Sequence, residues 1–363
     1  MEANRPIPKP RKGTKLKTER LSTLNEAGER RFVIPGEVTG PLRRWRNRVY
    51  AVLLLVFLVL PWTRINGMQS VWLDVPRRRF EIFGQLFLSH DAPLLFFLLA
   101  IALMALAFVT AVWGRVWCGW ACPQTVFIDA VYRRIEIWVE GEYKERRKLR
   151  DAPMSWSKLR KTVVKWALFF VVSSVIAHSF LAYFTGSREL VQMILNGRPG
   201  ENINYFLLVT SMTAVLLFNF GWFREQFCTI MCPYGRLQAV LMDDRSLAIV
   251  YDEKRGEPRK SPALAADKRG DCVSCNRCVE VCPAAIDIRD GLQMECIGCT
   301  ACIDACNIIM KKVDKPEGLI RYRSVDGSDL RVWRPRTIAY FAIALFCTLG
   351  LVTQLADHAP FAV

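Results

Sequence analysis

Apolar residues gather into five runs separated by strongly charged stretches: roughly Val49 to Trp62, Pro93 to Trp113, Thr162 to Phe184, Ile203 to Phe223 and Thr337 to Leu355. Most of them approach the ~20 residues that an α-helix needs to cross a bilayer. The pattern therefore predicts a membrane all-α protein with about five transmembrane helices. The first run is the shortest. A long stretch rich in Pro, Lys and Arg precedes it and no small-residue cleavage site follows, which argues against a removable signal peptide.

Between the runs, the polar positions carry a topology signal. Lys and Arg are retained preferentially on the cytoplasmic side. They crowd the segment before the first run, from Lys9 to Arg48, and the segment between the second and third, from Arg133 to Lys161. The alternate loops, about 64–92 and 185–202, are nearly balanced, although Arg77, Arg78 and Arg79 run against the rule. Five spans then place the amino terminus on the cytoplasmic side and the carboxyl terminus on the outer side. The chain divides into a flexible basic tail (1–42), a four-helix transmembrane region (43–245), a cytoplasmic ferredoxin-like domain (246–335), and a fifth transmembrane helix with a short outer tail (336–363). The first and second spans are expected to form a hairpin that the third and fourth repeat, each ending in an aromatic residue, an Arg and a Cys-x-x-x-Cys-Pro motif.

Composition sharpens this picture. Mean hydropathy is +0.16 although 23% of the residues are charged, so the two properties must be segregated along the chain. The net charge of +16 does not point to a nucleic-acid partner, because most basic residues adjoin the spans, where anionic membrane lipid and the topology signal account for them. Of the 13 cysteines, all but Cys347 fall in spaced groups on the side assigned to the cytoplasm, where structural disulfides are disfavoured. Metal ligation is the better reading.

The strongest motif is a duplicated one. Cys272, Cys275, Cys278 and Cys282 follow CxxCxxCxxxCP, and Cys296, Cys299, Cys302 and Cys306 repeat the spacing with Asn307 in place of the proline. Three closely spaced cysteines wrap one [4Fe–4S] cube while the fourth crosses to the other. By that rule one cluster takes Cys272, Cys275, Cys278 and Cys306, and the second takes Cys296, Cys299, Cys302 and Cys282. A pair of zinc sites is the competing reading, but zinc sites seldom use three cysteines in one such run. Two neighbouring clusters make a one-electron wire in a small α+β insert.

Cys118 and Cys122, like Cys228 and Cys232, are four apart, which on a continuous helix puts both thiols on one face. If the repeats pack together, four thiolates converge at the membrane edge, enough for a third cluster or a soft ion such as Cu(I). The alternatives are buried structural thiols, or redox thiols that close transient disulfides. His178 lies inside the third span and is a functional candidate by its cost there, against the plainer reading of a hydrogen bond across a helix interface. His90 and His358 lie near the opposite ends of spans, which argues against a bis-His haem. Cys347 reads as a small packing residue.

WCGWACPQTVF at 117–127, IAHSFLAYF at 176–184, REQFCTIMCPYGRLQAV at 224–240, YDEKRGEPR at 251–259, the double cluster motif and GLIRYRS at 318–324 together resemble the FixG/CcoG-type cytochrome c oxidase accessory proteins. The resemblance runs from about residue 30 to the end. It implies assembly of a cbb3-type oxidase, by reduction of Cu(II) to Cu(I), with copper ions, copper chaperones or oxidase assembly factors as partners and an electron donor of unknown identity. Carried over residue by residue, it makes the eight ferredoxin cysteines cluster ligands, and Cys118, Cys122, Cys228 and Cys232 a candidate copper or third-cluster site. Members usually carry a further β-sandwich domain after the fifth span, which this chain, ending at Val363, lacks. The alternatives are a quinol-linked conduit to a periplasmic reductase, or a non-catalytic, redox-sensing assembly scaffold.

Overall fold

The computed structural model describes residues 32–87, 92–196, 203–259, 269–327 and 330–357. His90, His358 and most of the tail expected to be flexible lie outside the described residues. Five helices are long and apolar enough to cross a membrane: Pro41–Trp62, Pro93–Trp113, Trp156–Thr185, Ile203–Phe223 and Pro335–Leu355. Apolar side chains such as Phe96, Leu99, Phe170, Leu207 and Phe346 stand exposed on them, as lipid-facing surfaces must, since only the backbone needs internal partners in a bilayer.

The first helix starts well before its apolar run. Pro41 sits in its first turn, where the missing N–H costs nothing. The Asp304 carboxylate accepts from the N–H groups of Leu42 (3.4 Å) and Arg43 (2.7 Å), placing negative charge at the positive end of the helix dipole. The third helix begins on Ser155, whose hydroxyl accepts from Lys158 N–H, and ends where Gly186 takes a φ of 85°.

Packing departs from the expected pair of repeated hairpins. The third and fourth spans do pack together, Gly221 fitting against Trp166 and Phe169. The second span, however, lies mainly along the fifth, where Gly350 leaves room for Phe97. On the far side from the ferredoxin insert, the 64–92 loop forms strands that hydropathy alone does not show: Arg64–Ile65 pairs with Met68–Gln69, and Val71–Asp74, Arg79–Ile82 and Gln85–Phe87 form an antiparallel meander. Asn66 and Gly67, with φ of 53° and 80°, supply the tight turn. Gln69 and Trp72 anchor this sheet on the carbonyls of Ala182 and Phe184 at the end of the third span.

The ferredoxin insert is bracketed by Leu247–Tyr251 and Ile320–Ser324, which pair antiparallel across the loop that carries the cysteines. Ile249, Ile303, Met310, Leu319 and Ile320 pack around Cys272 and Cys278 as its core. Residues 32–40 correct the expectation of a flexible tail through residue 42. They form an extended strap on the insert, with Gly36 N–H donating to Glu280 O (2.8 Å), Arg277 donating to Glu37 O (2.7 Å) and Val38 packed on Val281, Ala301 and Ala305. Pro35 breaks helix and a few backbone bonds suffice to hold a short extended segment, which composition does not reveal.

A buried ionic hub lies where the insert meets the spans. Asp129, in the helical segment after the second span, binds Arg43 and Arg46 of the first helix and Arg133 one turn on. Arg46 also donates to the Cys299 carbonyl. Burial works against charge on Asp129, but Arg46, Arg133 and Arg43 outweigh it and hold the carboxyl well below the usual carboxylate range. A carboxyl depressed in the folded state stabilises at neutral pH, and that contribution is lost as acid protonates it. Asp129→Asn would leave three guanidinium groups facing one another and should cost about 3–5 kcal/mol, read as a lowered thermal midpoint of the holoprotein in detergent. Asp151→Asn, at an exposed pair, should change stability by less than about 0.5 kcal/mol.

Candidate functional site

Each CxxCxxC loop owes its shape to left-handed residues on both sides of its middle cysteine. Ser274 and Asn276 flank Cys275, and Gly298 and Thr300 flank Cys299, with φ between 55° and 68°. Alternating left- and right-handed residues turn successive backbone N–H groups inward, which makes a nest for an anion of the kind found at iron–sulfur sites. Three of these four residues are not glycine, so the conformation is held at a cost of roughly 1–3 kcal/mol each. A small cavity opens between Cys278, Cys282, Cys296, Cys299 and Cys302.

The cysteines fall into two quartets. The electrostatic neighbours of Cys306 are Cys278, Cys272 and Cys275, whereas Cys282 faces Cys299 and Cys296, and Cys302 faces those three and, most weakly, Cys278. The fourth cysteine of each motif thus lies with the other motif. Burial pushes the thiols of Cys278 and Cys296 up to about 11 and that of Cys306 up to about 12. Buried sulfurs that resist becoming free thiolates suit ligation, where a metal replaces the proton. Nests and quartets together fit two iron–sulfur clusters. Cys275 is the exposed member of the first quartet, whereas the loop of the second meets the spans through Gly298 and Cys299, which makes the second the inner quartet.

The paired cysteines are not on continuous helices. Cys118 sits in the short helix Val116–Trp120 and Cys228 in the wide turn Phe227–Met231, but Cys122 and Cys232 are extended, with ψ of 125° and 111°. A residue before proline avoids the helical region, so Pro123 and Pro233 break each helix at its second cysteine. The expectation of two thiols stacked on one helix face gives way to two bent segments that meet. Cys228 has Cys122, Cys118 and Cys232 as neighbours, and burial raises its thiol, as it raises that of Cys118 to about 11.

Polar contacts hold the two segments together. Gln124 and Asn219 exchange reciprocal amide bonds of 3.1 and 2.8 Å. Cys118 donates to Gln238 Oε1 at 3.3 Å, and the buried Nε2 of Gln238 has no partner among the described residues. A donor left over beside four thiols fits an anionic guest. Among the described residues no three His, Cys, Asp or Glu side chains are drawn together tightly enough for a single ion. His178 is satisfied within its own helix, Nδ1 lying 2.7 Å from Ser174 O, and Cys347 is buried against its neighbours in the fifth span.

Sequence reasoning missed the contact that joins these sites. Gly119, between Cys118 and Cys122, lies so close to the second cluster loop that a Cβ there would stand 2.6 Å from Gly298 O. Tyr50 donates to Gly119 O (2.6 Å) and Tyr322 to Gly298 O (2.9 Å), so both glycine carbonyls are tied from outside. Arg115 reaches three carbonyls at once, Met294, Cys296 and Gly235, stapling both paired-cysteine segments to the loop. The visible signal was the Gly between the cysteines, which could equally have been a turn.

Residues 223–325 match the family model described as a 4Fe-4S dicluster domain, and residues 94–142, whose only cysteines are Cys118 and Cys122, match a 4Fe-4S binding domain. Protein RdxB of Cereibacter sphaeroides is 35% identical over 92% of this chain and 73% of its own length, and nitrogen fixation protein FixG of Rhizobium meliloti is 37% identical over 90% and 70%. The chain belongs to the FixG/CcoG-type family. Ferredoxin-type protein NapH of Haemophilus influenzae is similar at 25% identity over 66% of this chain and 85% of its own. No solved structure matches. As a FixG/CcoG-type protein it is a multi-pass membrane iron–sulfur protein of electron transfer.

The quartets make a double-mutant prediction. Cys306→Ser combined with Cys272→Ser should remove the same cluster as either alone, about four iron atoms per chain. Cys306→Ser combined with Cys282→Ser should remove both clusters. Iron analysis of anaerobically purified protein distinguishes the two outcomes.

Proposed function

We propose that the protein is a one-electron metal reductase of the bacterial inner membrane that reduces Cu(II) to Cu(I) for assembly of a cbb3-type oxidase, with its ferredoxin domain on the cytoplasmic side. The supporting observation is the Gly119–Gly298 approach, which puts the paired cysteines in backbone contact with a cluster loop. Clusters bound by the two ferredoxin quartets would supply one-electron chemistry at low potential. Electrons would arrive near exposed Cys275, cross to the quartet of Cys282, Cys296, Cys299 and Cys302, and leave through Cys118, Cys122, Cys228 and Cys232.

The chain's own residues do the rest of the work. Arg115, Tyr50 and Tyr322 fix the separation of the sites. Each Cu(II) takes one electron and needs no proton, so an acid–base residue is not required. The 4Fe-4S match over 94–142 favours a third iron–sulfur cluster at the four paired cysteines over resident copper, with copper as the substrate. Copper chaperones or oxidase assembly factors would then be the natural recipients of the product.

Anaerobically reduced protein mixed with Cu(II) and a Cu(I)-specific chromogenic chelator should yield one Cu(I) per electron lost from the clusters. Cys118→Ser with Cys228→Ser should slow that step at least ten-fold while the ferredoxin iron is retained. Clusters that stay reduced in the presence of Cu(II) would remove the reductase reading and favour an electron conduit, a role the NapH similarity would then support.

A further inference from the structure

A cavity of about 550 Å³ lies between the strap of residues 35–40, the amino-terminal end of the first span and the loop of Cys299. Its volume is that of a small-molecule site, and five arginines line it: Arg43, Arg44, Arg46, Arg133 and Arg134. Asp129 and Glu37 in the lining face them and Glu225 pairs with Arg133 from behind, leaving two positive charges in surplus among the described residues. Asp129 is shared by Arg43, Arg46 and Arg133, and Arg133 also binds Glu225. Glu37 turns one oxygen to Tyr143 N–H at 3.0 Å. None of these contacts engages Arg44 or Arg134, whose side chains have no partner among the described residues.

Arg46 and Arg133 are fixed in the wall by their shared carboxylate, so their guanidinium groups need no ordering to act on an occupant, whereas Arg44 and Arg134 are exposed and free to close on one. Phosphate oxygens match the guanidinium fork geometrically and bind it in pairs of charge-assisted hydrogen bonds. The surplus of two charges suits a phosphate better than a carboxylate, and the volume of about 550 Å³ suits a headgroup or nucleotide rather than a nucleic-acid strand.

We propose that this cavity binds a phosphate-bearing anion, supplied either by an anionic phospholipid headgroup or by a soluble nucleotide. The site stands independently of copper reduction. Because Arg46 also donates to the Cys299 carbonyl, an occupant of the cavity is mechanically joined to the loop of the inner quartet. Binding there would brace the insert against the spans at the junction that electrons must cross.

The test uses the full-length holoprotein and the double variant Arg44→Gln/Arg134→Gln, which leaves the Asp129 hub and every cysteine in place. ADP and inorganic pyrophosphate are titrated by calorimetry in detergent, and lipid retained from phosphatidylglycerol nanodiscs is read by native mass spectrometry against phosphatidylcholine nanodiscs. Saturable ADP or pyrophosphate binding that weakens at least ten-fold in the variant supports the proposal with a soluble source. Retention of phosphatidylglycerol alone, lost in the variant, supports it with a lipid source. The charge-matched control Lys144→Gln/Arg147→Gln, at exposed positions on the same side, should bind as the parent does. No saturable binding of any probe, or equal losses in variant and control, would overturn the proposal.

Discussion

The paired cysteines reach the ferredoxin insert because Gly119 and Gly298 meet at a distance that no side chain could tolerate. Nearly everything else at the membrane edge serves that approach. The prolines after Cys122 and Cys232 bend the chain so that four thiols converge, and Arg115 holds three carbonyls from both partners. Tyr50 from the first span and Tyr322 from the closing strand of the insert bond the two glycine carbonyls. Electron tunnelling weakens steeply with distance, so a contact between backbones achieves what a looser interface could not.

Close approach requires rigid docking, and buried ion pairs hold the side chains that dock. Asp129 with Arg43, Arg46 and Arg133 forms one buried group, and Glu136 with Arg146 and Arg224 forms another close by. Buried ion pairs add little net stability over apolar packing but are strongly destabilising to break. Here they fix the membrane-side arginines, and Arg46 carries that order to the insert through the Cys299 carbonyl. The same arginines leave an excess of positive charge in the cavity beside Cys299, so the device that positions the insert also creates a place for an anion.

Much of this was legible in the chain. Five apolar runs announced five spans, and the duplicated cysteine spacing announced the 4Fe-4S dicluster domain. The bent paired-cysteine segments were not foreseen, although the rule for residues before proline, applied to Cys122 and Cys232, would have shown them. The strap of residues 32–40 was hidden because its hold comes from scattered bonds to Gly36 and Glu37 and from one valine, which leave no periodicity. The outer sheet announced itself only through Asn66–Gly67. The partnership of the second and fifth spans could not be read, since lipid-facing and helix-facing residues are equally apolar and hydropathy cannot tell them apart.

The most direct test of the central claim, that the paired cysteines and the inner quartet form one contiguous electron path, is electron paramagnetic resonance of the fully reduced holoprotein. The account predicts a spectrum broadened by magnetic interaction between neighbouring centres. Changing Cys118, Cys122, Cys228 and Cys232 to serine should delete one component and sharpen the signal of the inner quartet. A spectrum that the four substitutions leave unchanged would contradict the account.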